Sequence, residues 1–184
     1  MQKFTVLLIL ALCSSSYSFP AFARGKYGDL AKPLSESHEY LRRAPAPDYW
    51  AIAPYYTAQH NGAACSVASV TMLVNAARAG KPLTSDDPLV TQKSLLEKVT
   101  TEGWKTNTEG LLAAGVTLDQ LGKIIEASLK AYKVEGAKVE VVRLPDASAK
   151  SLAAVRKALA ANEKSAKDFI VANFFQGTFT SDPE

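Results

Sequence analysis

The chain has 184 residues, of which 47% are apolar and 21% charged, and its formal net charge is +3 at pH 7. This composition supports one globular domain with a sizeable core and excludes a disordered, collagen-like or coiled-coil chain. Basic and acidic residues are mixed throughout, so no charged surface for nucleic acid is expected. The two cysteines, Cys13 and Cys65, are too few for a disulfide-rich scaffold or a cysteine-based zinc site.

The first residues have the pattern of a secretory signal peptide. A positive charge at Lys3 is followed by an apolar run over residues 4–12 and by the cleavage pattern Ala21-Phe22-Ala23. The run is less than half of the roughly 20 apolar residues that a membrane helix needs, so no stable membrane insertion is expected. We therefore predict that residues 1–23 are removed on export to the periplasm or outside the cell. The alternative is a lipoprotein signal acylated at Cys13, which is disfavoured because the preceding residue is large.

Cleavage leaves Cys65 as the single cysteine of an exported chain. In an oxidising compartment, such a thiol is either a reactive group or an inert buried one. Residues 24–48 are rich in Gly, Pro, Ser and charge, which predicts an extended lead-in segment. After this segment, residues 49–184 are expected to form one domain.

Hydrophobic periodicity places the elements of this domain. Apolar residues at spacings of three and four predict a buried helix over residues 65–79, stopped by Gly80 and Pro82. A capping-box pattern opens a second long helix at Thr117. The remaining predictions are helices over 91–99, 117–132 and 148–161, an alternating strand over 137–144 and a buried strand over 168–175.

Cys65 is the candidate for chemistry. A cysteine in the first turn of a helix faces free backbone N–H groups and the positive end of the helix dipole, and both favour the thiolate. Gln59 lies six residues earlier, across a turn that contains glycine, and can fold back beside the sulfur. Its NH₂ group and the Cys65 N–H would then donate to a developing oxyanion. The alternative is that Cys65 is a small buried residue and Gln59 a solvated one.

The segment Gln59-x-Asn61-x-Ala63-x-Cys65-x-Val67-Ala68-Ser69 is followed by Leu73-x-Asn75-Ala76. This pattern resembles the active-site segment of phytochelatin synthases. The exported bacterial members are similar in having a signal peptide and in the Pro54-Tyr55-Tyr56 segment. Within the motif, Ala64 stands where the family has Tyr, and Ser66 where it has Gly. The family pattern in this segment is Q-x-N-x-A-Y-C-G-V-A-S, followed by V-L-N-A. A second family pattern, F-I-x-V-N-[YF], is matched near the end of the chain by Phe169-Ile170-Val171-Ala172-Asn173-Phe174.

The resemblance implies an α+β, papain-like cysteine peptidase fold, with the nucleophile helix packed on a β-sheet and the C-terminal β part incomplete. It implies a glutathione γ-glutamylcysteinyltransferase in which Cys65 is the nucleophile and Gln59 the oxyanion donor. Glycine leaves glutathione, and γ-Glu-Cys passes to a second glutathione, giving phytochelatin, or to water. No cofactor is expected. Heavy-metal ions such as Cd or Zn are expected to take part only as thiolate complexes of the substrate. No residue of the chain is assigned as a metal ligand, and a homodimer is left open.

The family's catalytic histidine, in a G-H-[IFW]-S-P motif after the final strand, has no counterpart before Glu184. The chain is therefore expected to be the nucleophile half of a two-part site. His38 in the lead-in segment and His60 on the loop before Cys65 are poor substitutes as a base. The alternative function is a non-catalytic thiol- or glutathione-binding protein. A metal-binding protein is a weaker alternative, because the two histidines and Cys65 lack metal-ligand spacing.

Overall fold

Helices provide the regular structure of the chain in the computed structural model, which describes residues 32–82 and 84–174. The predicted signal peptide, residues 1–23, lies outside this part. Ser37–Phe174 form one compact unit, and the described residues before it contain a 3-10 turn at Leu34–Glu36. No helix within the described ranges is both long and apolar enough to cross a membrane. The α-helices are α1 (His38–Arg43), α2 (Pro47–Ile52), α3 (Cys65–Ala77), α4 (Gln92–Lys98), α5 (Trp104–Thr108), α6 (Leu118–Ala131) and α7 (Ala149–Asn162).

The lead-in segment contains α1 and the first two residues of α2, so the prediction of an extended conformation is wrong for these residues. Glu39 in the first turn of α1 pairs with Arg42 and Arg43 in its last turn, which supports even a short helix. Pro47 is the first residue of α2, where its fixed φ angle favours the helical turn. Prolines in this segment therefore start a helix instead of excluding one.

Helix α3 is the centre of the core and ends at Ala77, close to the predicted end. It packs against α2, α4 and α6. Val67, Val70 and Val74 are completely buried on it, and each such side chain contributes about 1.5–3 kcal/mol of hydrophobic stabilisation. The buried apolar residues of the core are Ala64, Val67, Val70, Leu73, Val74, Val90, Leu95, Leu96, Val99, Trp104, Leu121, Ile124, Ile125 and Leu129.

Two of the core helices begin at capping boxes. The Thr117 hydroxyl accepts from the Gln120 N–H at 3.3 Å, and the Gln120 side chain accepts from the Thr117 N–H at 2.9 Å, which confirms the predicted start of α6. Thr91 and Ser94 make the same exchange at the start of α4. Because these signals lie within four residues of one another, they specify both helix starts locally.

The predicted β-sheet is not formed among the described residues, whose single ladder contact is an isolated bridge between Thr84 and Asp87. Residues 137–144 and 168–174 carry no regular secondary structure, and residue 175 lies outside the described part. Phe169 and Val171 pack on the core while Ile170 between them is 48% exposed, so this segment is half-buried. Within the described part α3 packs on helices, and the sheet of the α+β class stays a prediction.

Candidate active site

Cys65 is the first residue of α3, and its side chain is exposed. Its neighbours Ala64 and Ser66 are both buried, so the backbone on either side is fixed while the thiol faces solvent. The first N–H groups of a helix have no partner within it, and they lie at the positive end of the helix dipole. The structure thus confirms the predicted position of Cys65, and its exposure contradicts the alternative of an inert buried thiol.

The first turn of α3 is held in place by Trp104 of α5. The indole Nε1 donates to the Ser66 hydroxyl at 3.0 Å, and the Trp104 side chain is completely buried. Ser66 occupies the motif position where the family pattern has Gly, and glycine has no side-chain acceptor. The serine therefore satisfies a buried indole donor directly beside Cys65.

The 57–64 loop, which connects the 3-10 turn Ala53–Tyr55 to α3, is shaped by Asn61. Its side-chain oxygen accepts from the Ala63 N–H at 2.8 Å, and its side-chain nitrogen donates to the Thr108 carbonyl at 2.9 Å. The Asn61 carbonyl accepts from the Ala64 N–H at 3.3 Å. Asn61 thus closes the turn before Cys65 and ties it to the end of α5. The sequence motif contained this residue, but its structural role was not predicted.

Gln59, the predicted oxyanion donor, folds back onto its own loop. Its Nε2 donates to the Asn61 carbonyl at 2.9 Å and to the Gly62 carbonyl at 3.3 Å. Both amide hydrogens thus have partners three and four residues before Cys65. To stabilise an oxyanion, Gln59 has to exchange one of these bonds. A charged acceptor would form a stronger hydrogen bond with Gln59 than either neutral carbonyl does.

The two histidines are engaged elsewhere or lie far along the chain from Cys65. His60 Nδ1 lies 2.8 Å from Gln92 Oε1, and His60 Nε2 lies 3.6 Å from a carboxylate oxygen of Glu109. His38 is the exposed first residue of α1. That neither histidine is the base for Cys65 stays a prediction.

An open depression of about 500 Å³ adjoins the 57–64 loop. The glycines of its lining keep the backbone accessible, and Leu111 and Leu112 beside it are almost completely exposed. Its volume falls within the range of small-molecule sites. The lining residues are Asn61, Gly62, Ala63, Gly110, Ala113 and Ala114.

Asn75 is a second motif residue whose role the structure explains. It is buried on α3, and its side-chain amide makes a two-point contact with the Val90 backbone: Nδ2 donates to the carbonyl at 2.9 Å, and Oδ1 accepts from the N–H at 2.8 Å. This contact fixes the segment that leads into α4. Asn75 is therefore structural rather than part of the chemistry.

No group of three or more His, Cys, Asp or Glu side chains in residues 32–82 and 84–174 is arranged to hold a metal ion. Any metal ligands of this chain thus remain unassigned.

An exposed cysteine on the first turn of a buried helix, preceded by a loop whose residues 61–63 line an open depression, defines a candidate cysteine-nucleophile site. The family model described as phytochelatin synthase matches residues 33–182. The chain belongs to the phytochelatin synthase family, a papain-like family of glutathione γ-glutamylcysteinyltransferases. A search of curated proteins and a search of solved structures each found no match.

Proposed function

We propose that this chain supplies the nucleophile of a glutathione γ-glutamylcysteinyltransferase or peptidase. The observation that carries the proposal is the exposed thiol of Cys65 on the first turn of α3 in a chain of this family. The same proposal includes three further points. The protein is exported to the periplasm or beyond the cell, it requires no cofactor, and its partner molecule is glutathione.

In the first step, the Cys65 thiolate attacks the carbonyl carbon of the Cys–Gly peptide bond of glutathione. A C–S bond forms and the carbonyl oxygen becomes negatively charged. Collapse of this intermediate breaks the C–N bond, and glycine leaves after its amine takes up a proton from water. The product is a γ-Glu-Cys thioester on Cys65.

Gln59 and the Cys65 backbone N–H would stabilise the charged oxygen. One Gln59 hydrogen would leave the carbonyl of Asn61 or Gly62, 2.9 and 3.3 Å from Nε2, and donate to the oxyanion instead. The adjoining depression would hold the rest of the tripeptide.

In the second step, the thioester passes γ-Glu-Cys to the α-amine of another glutathione or to water. Transfer forms an amide bond and lengthens the product toward a phytochelatin, whereas hydrolysis releases γ-Glu-Cys. Cd or Zn ions would take part as thiolate complexes of the substrate. In both outcomes the C–S bond breaks and the Cys65 thiolate is regenerated.

Release of glycine from glutathione tests the proposal. We expect the protein to release a single burst of glycine that accompanies acylation of Cys65, and the matched variant Cys65→Ser to release none above the uncatalysed rate, because serine retains the size but is a much weaker nucleophile. Cys65→Ser must show the far-UV circular dichroism of the wild type. Equal glycine release by both folded proteins would contradict the proposal.

A second candidate function is a non-catalytic thiol- or glutathione-binding protein. The observation that favours it is the engagement of Gln59 with loop carbonyls and of His60 with Gln92 and Glu109, which leaves neither group directed to chemistry. Calorimetric binding of glutathione that is unchanged in Cys65→Ser, together with no glycine release by the wild type, would establish this function instead.

A further inference from the structure

His60 belongs to a set of contacts, centred on Gln92 of α4, that fix the 57–64 loop. Its Nδ1 is 2.8 Å from Gln92 Oε1 on α4. The same Gln92 side chain donates through Nε2 to the Ala58 carbonyl at 2.8 Å and to the Thr57 hydroxyl at 3.1 Å. One amide of α4 therefore contacts three residues of the loop.

These contacts define which atom of His60 carries the proton. Gln92 Nε2 donates to two oxygens, so Gln92 Oε1 is the acceptor and His60 Nδ1 must be the donor. Nε2 of the same ring faces Glu109 at 3.6 Å, and Glu109 also lies 3.9 Å from Lys105 Nζ. The His60 and Glu109 side chains are each 37% exposed, so the contact between them contributes little. The hydrogen bond to Gln92 is thus the contact through which His60 acts.

The residues fixed in this way flank Gln59 on both sides. Thr57, Ala58 and His60 are held against α4 through Gln92, and Asn61 is held against the end of α5 through the Thr108 carbonyl. We infer that His60 is a positioning residue for Gln59: its Nδ1 bond to Gln92 holds against α4 the loop that carries this proposed oxyanion donor, six residues before Cys65. This inference rests on the proposed function, because it assumes that Gln59 stabilises the oxyanion.

Two reactions of Cys65 distinguish an effect of His60 on the position of Gln59 from an effect on the reactivity of the thiol itself. In acylation by p-nitrophenyl acetate, the thiolate attacks the ester carbonyl, an oxyanion forms, a C–S bond replaces the C–O bond, and p-nitrophenolate leaves without needing a proton. In alkylation by iodoacetamide, the thiolate displaces iodide and no oxyanion forms. Both rates are measured on the full chain, with the modified Cys65 peptide quantified by mass spectrometry.

We expect His60→Ala to slow acylation by about tenfold while alkylation stays within about twofold of the wild-type rate. His60→Asn should restore most of the acylation rate, since asparagine places an N–H donor close to the position of Nδ1. The double variant with Gln59→Ala should acylate no more slowly than Gln59→Ala alone. The matched control is His38→Asn, which removes the other histidine and should leave both rates unchanged.

The inference is overturned if His60→Ala acylates at the wild-type rate, if it slows alkylation equally, or if its effect adds fully to that of Gln59→Ala. A slow Gln59→Ala beside an unaffected His60→Ala would refute the role of His60 and leave the proposed function intact. If Gln59→Ala itself acylates at the wild-type rate, the oxyanion donor of the proposed function is refuted and the role of His60 falls with it.

Discussion

The hydrogen bond between Trp104 and Ser66 allows a direct test of how α5 supports the nucleophile helix. Substituting Ser66→Ala removes the acceptor of the 3.0 Å bond and leaves the indole N–H without a partner in a completely buried position. An unsatisfied buried donor costs about 1–3 kcal/mol, and we expect the free energy of unfolding to fall by this amount. Ser66→Gly, which restores the family residue, should cost more because glycine also weakens the helix.

The magnitude can be assigned to the bond by a double-mutant cycle. Trp104→Phe removes the indole donor and leaves the Ser66 hydroxyl as the buried group without a partner. In that background, Ser66→Ala should cost close to nothing, because no donor is orphaned. We therefore expect a coupling free energy of about 1–3 kcal/mol between the two positions.

The assay is equilibrium unfolding in urea followed by far-UV circular dichroism, which does not depend on tryptophan fluorescence. Ser69→Ala is the matched control, because Ser69 lies on the same helix and its side chain makes no hydrogen bond to another described residue. It should change the free energy of unfolding by less than about 0.5 kcal/mol. If Ser66→Ala costs the same with Trp104 and with Phe at position 104, the bond does not support α3 and the reasoning is refuted.

Three further predictions concern stability. Asn75→Ala should lower the free energy of unfolding by about 2–4 kcal/mol in urea melts, because the buried N–H and carbonyl of Val90 lose both partners; an unchanged midpoint would contradict this role. Burial and the neighbouring Asp48 carboxyl raise the pKa of Glu163 above its ordinary value of 4.5. The free energy of unfolding should therefore fall as pH rises from about 4.5. Glu163→Gln should be more stable than the wild type at pH 7, and its stability should depend less on pH. Hydrogen bonds from Ser148 and Ser151 lower the pKa of Asp146 from 3.8 to about 2. The ionised carboxylate therefore stabilises the fold above pH 3.8, and this stabilisation is lost as pH falls toward 2. Asp146→Asn should remove this pH dependence in thermal melts between pH 2 and 6, and an unaltered acid profile would be evidence against it.

The sequence predicted best what is encoded by residues close together in the chain. The capping box of Thr117 and Gln120, the apolar periodicity of α3 and the first-turn position of Cys65 are all short-range patterns, and the structure confirms them. Helix α5 was missed because it is only five residues long and has no apolar repeat of its own. This helix begins at Trp104, whose side chain is completely buried, and that burial depends on residues distant in the chain.

Contacts between distant residues could not be read from the sequence. The Trp104–Ser66 bond joins positions 38 residues apart, and the Asn75–Val90 contact joins positions 15 residues apart. The motif contained Ser66 and Asn75 but not their partners. For the same reason the sheet stays a prediction: alternation shows which face of a segment is apolar, but not which segment pairs with it. The catalytic roles of Cys65 and Gln59 likewise remain predictions, although their positions are now defined.

The most direct test of the account is the mass of the Cys65-containing peptide after the full chain is mixed with glutathione and quenched with acid. The account predicts a γ-Glu-Cys thioester on this peptide, which lacks the glycine of glutathione, appears with free glycine and is absent in Cys65→Ser. A peptide that carries only intact glutathione as a disulfide reversed by dithiothreitol, with no glycine released, would contradict Cys65 as the acyl-forming nucleophile.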